Sequence, residues 1–180
     1  MEFIRLNSAD SEFFESALHI YNSSFPLCER RDRACHIEAM RDERFHCEVV
    51  LSAGQLVGLV WYWLFEGESE PYIFVEHIAI TESVRGKGLG TTILEHLKTQ
   101  GLTIILEIEP PTEPLARRRE CFYQRAGFVT CNHDHYQPPY RATDTPFKLC
   151  IMSYPHTITD AEYRTFATAQ CSVMQRYLKK

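Results

Sequence analysis

The segment Arg85-Gly86-Lys87-Gly88-Leu89-Gly90 places three glycines and two cations between a predicted strand and a predicted helix. The strand, 72–81, is rich in aromatic and β-branched residues, and the helix, 91–100, begins at Thr91 and carries apolar residues at helical spacing. Glycine lets such a turn aim several backbone N–H groups at one point, and the helix N-terminus and the cations favour an anion there. The segment therefore predicts a site for a phosphate or pyrophosphate.

Two glutamates in neighbouring strand patterns and one tyrosine in a helix pattern could move protons. Glu76 lies on the strand that leads into the glycine-rich segment, and Glu107 lies on the next one, 103–109. Tyr123 lies near the end of a helical pattern, 114–126. A buried carboxylate is costly without a purpose, and alternation places Glu76 on an apolar face together with Phe74, Ile78 and Ile80. These residues predict acid–base chemistry beside the anion site.

The rest of the chain predicts helices and strands without repeats or linkers. A hairpin is predicted at Ala53-Gly54, and its second strand is apolar on both faces at 59–64, which indicates a central position in a sheet. The predicted strands are 2–6, 45–52, 55–65, 72–81, 103–109, 128–133 and 147–153. The predicted helices run from about 10 to just before Pro26 and then over 29–44, 91–100, 114–126 and 159–178, with loops at 66–71 and 135–146.

Length and composition predict one globular domain over residues 1–180. The chain has 180 residues, of which 44% are apolar, and a net charge of −5, which suits a single core. An acidic chain is a poor match to nucleic acid but mildly attracts cationic molecules such as amines. The longest apolar run, 56–65, is shorter than the roughly 20 residues of a membrane span, and the first residues contain no apolar signal core. We expect a cytoplasmic protein without a nucleic-acid or membrane partner.

The seven cysteines are odd in number and scattered, and they form no Cys-x-x-Cys pair. This pattern favours reduced thiols over a disulfide framework. The group Cys131-x-His133-x-His135 would share one face of a strand, as metal ligands do. No second ligand pair lies at a usual zinc spacing, so we predict no metal site there. A small metal-binding interaction domain built on this group is an alternative reading.

The glycine-rich segment resembles a known family motif. It lacks the Lys-Ser/Thr pair of the Walker loop and the spacing of the dinucleotide fingerprint. Arg85-x-x-Gly88-x-Gly90 instead resembles the Arg/Gln-x-x-Gly-x-Gly/Ala coenzyme A loop of the GNAT acetyltransferase superfamily, and 121–128 resembles the family's Phe-Tyr-x-x-x-Gly-Phe segment. The order of elements over 1–153 is similar too. The resemblance implies an α+β fold, an α/β/α sandwich whose mixed, mainly antiparallel sheet carries helices on both faces.

For function, the resemblance implies direct transfer of an acetyl group from acetyl-CoA to an amine in a ternary complex. The backbone of Ile78 and Ile80 would pair with the pantetheine arm. Glu76 is the first choice for the base that deprotonates the amine, and Glu107 is the second. Tyr123 is the candidate acid, since a phenol with a pKa near 10 can protonate a thiolate with a pKa near 8.5. The pyrophosphate would lie on Arg85, Gly86, Lys87, Gly88, Leu89, Gly90 and Thr91.

Several features stay open at the level of the sequence. Many family members carry an asparagine one or two turns before the tyrosine, where this chain has Ala116-Arg117-Arg118-Arg119, so the usual asparagine contact to the cofactor is not expected here. The three arginines point about 100° apart on a helix, so one would reach a cofactor phosphate and the other two would face solvent. The segment 135–140 and the first two helices would line the acceptor's pocket, but the identity of the acceptor amine is not encoded in any recognisable pattern. A CoA-binding sensor without turnover is the second functional reading. The amphipathic C-terminal helix, 159–178, would dock on its own sheet or join two copies in a homodimer.

Overall fold

The chain folds around one mixed β-sheet. The structure, a computed structural model, describes residues 1–67 and 70–178, so Glu68 and Ser69 of the predicted 66–71 loop and the last two lysines lie outside the described residues. Within that description the strands are ordered β1-β2-β3-β4-β5-β8-β6, and β7 pairs with β8. The strands are β1 (Glu2–Arg5), β2 (Phe45–Ser52), β3 (Gln55–Phe65), β4 (Tyr72–Ile80), β5 (Thr103–Ile108), β6 (Val129–Thr130), β7 (His135–Gln137) and β8 (Phe147–Tyr154). The α-helices are α1 (Phe14–Ser24), α2 (Arg33–Ala39), α3 (Leu89–Lys98), α4 (Pro114–Arg125) and α5 (Asp160–Arg176).

Helices cover both faces of the sheet, as expected for the α+β class. One buried cluster joins the sheet to α1, α2 and α5 and contains both tryptophans. The other cluster joins the opposite face to α3 and to Phe122 and Tyr123 of α4. All described strand pairs except β4–β5 are antiparallel. The predicted fold class is therefore confirmed.

The hairpin β2–β3 closes at the predicted two-residue turn. Ala53 and Gly54 both have positive φ angles, 50° and 75°, as a turn that matches the twist of the strands requires. The turn places β3 between β2 and β4. The apolar stretch within it is consequently buried on both faces, apart from the half-buried Leu64.

The sheet splits where β4 and β5 separate. These two strands run parallel and pair only between Tyr72–Val75 and Thr103–Leu106. Beyond that point β4 stays paired with β3 as far as Ile80, and β5 stays paired with β8 as far as Ile108. The facing edges of β4 and β5 therefore open into a cleft.

A β-bulge at Glu76 marks the start of this split. Tyr62 of β3 pairs with Val75, and the preceding residue, Trp61, pairs with His77, so Glu76 is an extra residue in β4. The predicted alternation through Glu76 is therefore wrong beyond the bulge. Phe74 packs with the α1 and α5 side of the sheet, whereas Ile78 and Ile80 pack with the α3 side.

The second helix is shorter than predicted. The expected helix, 29–44, is replaced by a 3₁₀ turn at Leu27–Glu29 and by α2. The side chain of Asp32 accepts a hydrogen bond from the Cys35 amide, which fixes the start of the helix at Arg33. The backbone between the two elements is extended and carries Arg31, whose side chain is buried.

The C-terminal helix packs on its own sheet. A capping box of Thr159 and Glu162 begins α5. Its apolar stripe lies in the same cluster as α1 and α2, and the Tyr177 hydroxyl donates to Asp42 at 3.0 Å. The stripe that could have joined two copies is thus covered within one chain.

Candidate active site

Two connected cavities follow the open edge of β4. The inner cavity, about 510 Å³, lies between the ends of β4 and β5 and reaches Glu29, His77 and Tyr140. The loop groove, about 1000 Å³, runs between the glycine-rich segment and α4. The residues that line both are Ile78, Ile80, Arg85, Leu115, Arg119 and Tyr123. The two cavities therefore form one continuous cleft.

The glycine-rich segment forms one wall of the loop groove. Gly86 and Gly88 have φ angles of +79° and +80°, and a Cβ atom at either position would meet open space. Helix α3 begins directly at Leu89, so its first-turn N–H groups lie in this wall. Gly90 is needed for a different reason, because a Cβ there would lie 3.0 Å from the Phe122 ring of α4.

The cations of this wall are exposed. Arg85 is anchored by a hydrogen bond from its Nε atom to the Ile80 carbonyl at 3.1 Å, and the residue lines the groove. Lys87, two residues later, is exposed. Thr91 lies in the first turn of α3, with its side chain in the groove lining. The wall thus combines backbone donors with positive charge, which suits an anionic group.

The three consecutive arginines of α4 have different surroundings. Arg117 donates to the carbonyls of Pro111 and Thr112 at 2.9 and 3.0 Å. Arg119 forms an ion pair with Glu109. Arg118 lines the loop groove, and in the described part of the chain its guanidinium has no hydrogen bond or ion pair. Arg118 is therefore the member of the group that could reach an anion in the groove.

The side chain of Glu76 is fully buried, and its carboxylate accepts three hydrogen bonds. Arg31 donates at 2.5 Å as an ion-pair partner, and the Trp63 indole and the Tyr140 hydroxyl each donate at 2.8 Å. Burial alone would raise the pKa of this carboxyl, but the Arg31 charge and the hydrogen bonds outweigh it and lower the pKa to about 2. A carboxylate with this pKa is a weak acceptor for a proton near neutral pH. The predicted base role stays a prediction, and this environment weighs against it.

The backbone of Glu76 has a different environment from its side chain. The residue as a whole is partly exposed although its side chain is 0% exposed, so the exposed atoms belong to the main chain. The bulge removes this main chain from the regular ladder with β3. Backbone groups of Glu76 therefore face the inner cavity, at the head of the open edge that continues through Ile78 and Ile80.

Glu107 lies across the cleft and is also surrounded by donors. Its carboxylate accepts hydrogen bonds from His135, from Gln137 at 2.7 Å and from Gln170 of α5 at 2.8 Å. Its side chain is 6% exposed. The other ring nitrogen of His135 contacts the Tyr163 hydroxyl at 3.2 Å. Glu107 thus joins β5, β7 and α5 at the floor of the inner cavity.

Tyr123 lies where the inner cavity and the loop groove meet. Its ring packs against Phe122 and Phe128. Burial raises the pKa of the hydroxyl to about 12, with the Arg119 charge opposing the shift. The hydroxyl is therefore protonated throughout the neutral range, which the predicted role as a proton donor requires.

The contacts made around the inner cavity could not be predicted from the sequence. Arg31 and Tyr140 are 45 and 64 positions from their partner Glu76, and His77 and Glu29 meet through the fold alone. No local pattern relates residues so far apart. An arginine that follows a proline-bounded turn and a tyrosine in a loop carry no periodic signal.

The residues of the possible metal-binding group, Cys131, His133 and His135, each contact a different partner in the fold. The Cys131 thiol contacts the Ser153 hydroxyl, His133 stacks on Tyr163, and His135 contacts Glu107. Among the described residues, no three His, Cys, Asp or Glu side chains are arranged to hold a metal ion. The three side chains of the group are thus engaged in separate contacts.

Comparison with known proteins assigns the family. A family model described as an acetyltransferase (GNAT) domain matches residues 42–130. The proposed acetyltransferase YjbC of Bacillus subtilis is 30% identical over 144 residues, which is 77% of this chain and 70% of YjbC. The chain belongs to the GNAT acetyltransferase family. The predicted family membership is thereby confirmed.

Solved structures agree with this assignment. A proposed GNAT acetyltransferase from Bacteroides thetaiotaomicron is 30% identical, with a TM-score of 0.83 and full coverage of both chains. Arabidopsis thaliana Naa50, solved with the bisubstrate analogue CoA-Ac-MVNAL, shares the fold at 16% identity, with a TM-score of 0.61 over 85% of this chain and 98% of Naa50. The analogue bound to Naa50 contains a CoA moiety. No helix in the described residues is long and apolar enough to cross a membrane.

Proposed function

We propose that this GNAT protein is an N-acetyltransferase that moves the acetyl group of acetyl-CoA to the amine of a small molecule or an exposed amino group. The observation that supports this most is the continuous cleft from the anion-binding wall to the inner cavity. A phosphate-bearing donor would lie in the loop groove with its reactive end at Glu76 and Tyr123. An acceptor would enter from the opposite end, past Glu29 and Tyr140.

The open edge of β4 would hold the donor's arm. Amide groups of a pantetheine chain pair with a free strand edge as another strand would. Ile78 and Ile80 offer that edge because β5 has already separated from β4. At the head of the edge, the main chain of Glu76 would donate to the thioester oxygen as it gains negative charge. The buried ion pair with Arg31 keeps this backbone in place, which gives the Glu76 side chain a positioning role.

The pyrophosphate would bind to the glycine-rich wall. Backbone N–H groups from Gly86 to Gly90 and the first turn of α3 supply donors, and Arg85 and Lys87 supply charge. Arg118 would contact a further phosphate from the α4 side of the groove. Tyr123 would give its proton to the departing thiolate.

The test of this function begins with the donor. Acetyl-CoA should raise the melting temperature of the wild type in proportion to the logarithm of its excess. Gly88→Glu puts a negative charge where the pyrophosphate would bind, and it should abolish the shift. Gly101→Glu is the matched control, because Gly101 also has a positive φ, +71°, and open space around it but lies outside the cleft. If acetyl-CoA raised the melting temperature of Gly88→Glu as much as that of Gly101→Glu, the glycine-rich segment would not be the pyrophosphate site.

The second part of the test concerns turnover. A panel of amines is screened for acetyl-CoA-dependent release of free thiol by the wild type. Amine-dependent release supports the transferase. A protein that is stabilised by acetyl-CoA but transfers to no amine would be a CoA-binding sensor instead.

A further inference from the structure

We propose that Glu29 receives the proton of the acceptor's ammonium group, an inference that rests on the acetyl transfer proposed above. An amine of the lysine type has a pKa of about 10.4, so it arrives as an ammonium and must lose a proton before its nitrogen can attack. The side chain that takes this proton must be a carboxylate with an oxygen that is free to accept it. It must also face the end of the cleft where the acceptor enters.

The other carboxylates of the inner cavity are already engaged. Glu76 is paired with Arg31 and accepts two further hydrogen bonds. Glu107 accepts from three side chains. Glu109 forms an ion pair with Arg119. At each of these carboxylates an arriving ammonium would compete with hydrogen-bond donors that are already in place.

Glu29 differs from them in its contacts. It lines the inner cavity and is only partly buried. Within residues 1–67 and 70–178, its carboxylate has no hydrogen bond or ion pair. It is therefore the cavity carboxylate that is free to meet an ammonium.

The backbone around Glu29 is held firmly. Its carbonyl accepts a hydrogen bond from His77 Nε2 at 3.0 Å, and its amide donates to the Pro26 carbonyl at 3.0 Å. Two residues on, the Arg31 amide donates to the Tyr21 hydroxyl at 2.9 Å. The turn that carries Glu29 is thus tied to β4 and α1, so the carboxylate is presented from a fixed main chain.

The charges that face Glu29 suit proton transfer. Burial raises the pKa of its carboxyl, and Glu109 and Glu107 raise it further, while Arg119 opposes them. A base is most effective when its pKa lies closer to the working pH. An arriving ammonium would also replace the missing counter-charge in this negative corner of the cavity.

The proton balance of the transfer is complete with these groups. The ammonium gives one proton to Glu29, and the neutral nitrogen attacks the thioester carbon. The C–N bond forms, the C–S bond breaks, and Tyr123 protonates the thiolate. The second proton leaving the nitrogen restores Tyr123 through water, and the proton on Glu29 passes to solvent. The products are the amide, free CoA and one proton.

The test compares acceptors that need a base to different extents. Nα-acetyl-lysine amide has an amine with a pKa of about 10.4, and alanine amide has an α-amine with a pKa of about 7.7–8.0. At pH 7 Glu29→Gln should lower kcat/KM roughly 10²–10⁴-fold for the first, and raising the pH should recover much of the loss. For the second the loss should stay below about tenfold, because a larger fraction of that amine is already neutral. Water can attack the thioester in place of the amine, so the rate of acetyl-CoA hydrolysis without an amine is measured in parallel.

The controls separate this inference from the proposed function. Glu12→Gln removes an exposed carboxylate outside the cleft and should match the wild type, and Glu29→Asp should keep part of the rate if the glutamine variant folds poorly. Full activity of Glu29→Gln with both acceptors, or an equal loss at every pH, overturns the role of Glu29 while leaving the transferase intact. A wild type that neither transfers nor hydrolyses overturns both.

Discussion

The two ends of the cleft are built in opposite ways. One wall of the loop groove is a single short stretch, 85–91, with backbone turns and exposed cations, and α4 forms the opposite wall. The inner cavity is lined by side chains from separate elements, and it borders the buried Arg31–Glu76 pair, to which Trp63 and Tyr140 also donate hydrogen bonds. One contiguous segment therefore supplies the anion-binding wall that we propose for the donor, whereas a buried polar network drawn from distant elements holds the other end of the cleft.

This difference has an energetic consequence. An exposed loop can lose one side chain with little effect on folding. In the buried network, removal of one partner leaves a desolvated charge behind, and the cost falls on the stability of the whole domain. We expect changes at the loop end to affect binding and changes at the inner end to affect both stability and rate.

The largest expected effect is at the junction of the two ends. Tyr123→Phe keeps the ring and its packing against Phe122 and Phe128 but deletes the hydroxyl. If Tyr123 protonates the thiolate, kcat should fall roughly 10²–10⁴-fold, while the stabilisation by acetyl-CoA hardly changes. Thiol release under saturating acetyl-CoA measures the rate, and thermal melting measures binding.

A matched tyrosine gives the comparison for this variant. Tyr136 is half exposed and lies outside both cavities, so Tyr136→Phe should behave as the wild type. Unlike a variant that lacks the base, Tyr123→Phe should not recover at higher pH, because higher pH supplies no proton. If Tyr123→Phe turned over at the wild-type rate, Tyr123 would be only a packed aromatic residue and not the proton donor.

The next effect tests the inner end through its stability. Arg31→Met leaves Glu76 as a buried carboxylate without its cation, which should lower the free energy of unfolding by about 3–5 kcal/mol. Arg33→Met is the control two residues away, since its pair with Glu15 is exposed (55% and 68%), and it should cost about 0–1 kcal/mol. Urea unfolding of both variants measures the difference.

A double variant sharpens this result. Arg31→Met combined with Glu76→Gln removes both charges, so it should be more stable than Arg31→Met alone. A double variant that is less stable than the single one would mean that the cost comes from lost packing around Arg31, which contacts the rings of Phe45, Trp63 and Tyr140, and not from an unpaired carboxylate.

The same contrast explains what the sequence could and could not predict. The glycine-rich segment, the strand before it and the helix after it are contiguous, so spacing and glycine positions carry the information. The bulge at Glu76 was invisible because it depends on pairing with β3, and it moved Ile78 and Ile80 to the other face. The partners of Glu76 were invisible because each comes from a distant element. Glu29 was assigned to a helix and missed because only the fold brings it to the cavity.

The smallest expected effect is the response of the inner end to acid. His36 and His77 lie in the buried region around Arg31 and Glu76. Burial, together with the Arg31 charge, lowers the pKa of His36 to about 3, and burial lowers the pKa of His77 to about 4 although Glu76 opposes it. An unfolded histidine has a pKa of about 6.5. As the pH falls below that value, the unfolded chain binds protons that the folded chain does not, so stability falls from about pH 6.5 down to about 4 for His77 and about 3 for His36.

Between pH 7 and pH 5 each of these histidines should cost on the order of 2 kcal/mol of stability. Glu76 should add little there, because its lowered pKa stabilises the fold above the ordinary glutamate value, about 4.3, and that contribution fades only as the pH falls toward about 2. Urea unfolding at pH 7, 6 and 5 measures the slope. His77→Gln retains an N–H donor for the Glu29 carbonyl but cannot titrate, so its loss of stability between pH 7 and pH 5 should be smaller than the wild-type loss by on the order of 2 kcal/mol. Identical slopes for the wild type and His77→Gln would mean that His77 is protonated as readily in the folded chain as in the unfolded one. The inner end of the cleft would then be more accessible to solvent than its contacts indicate.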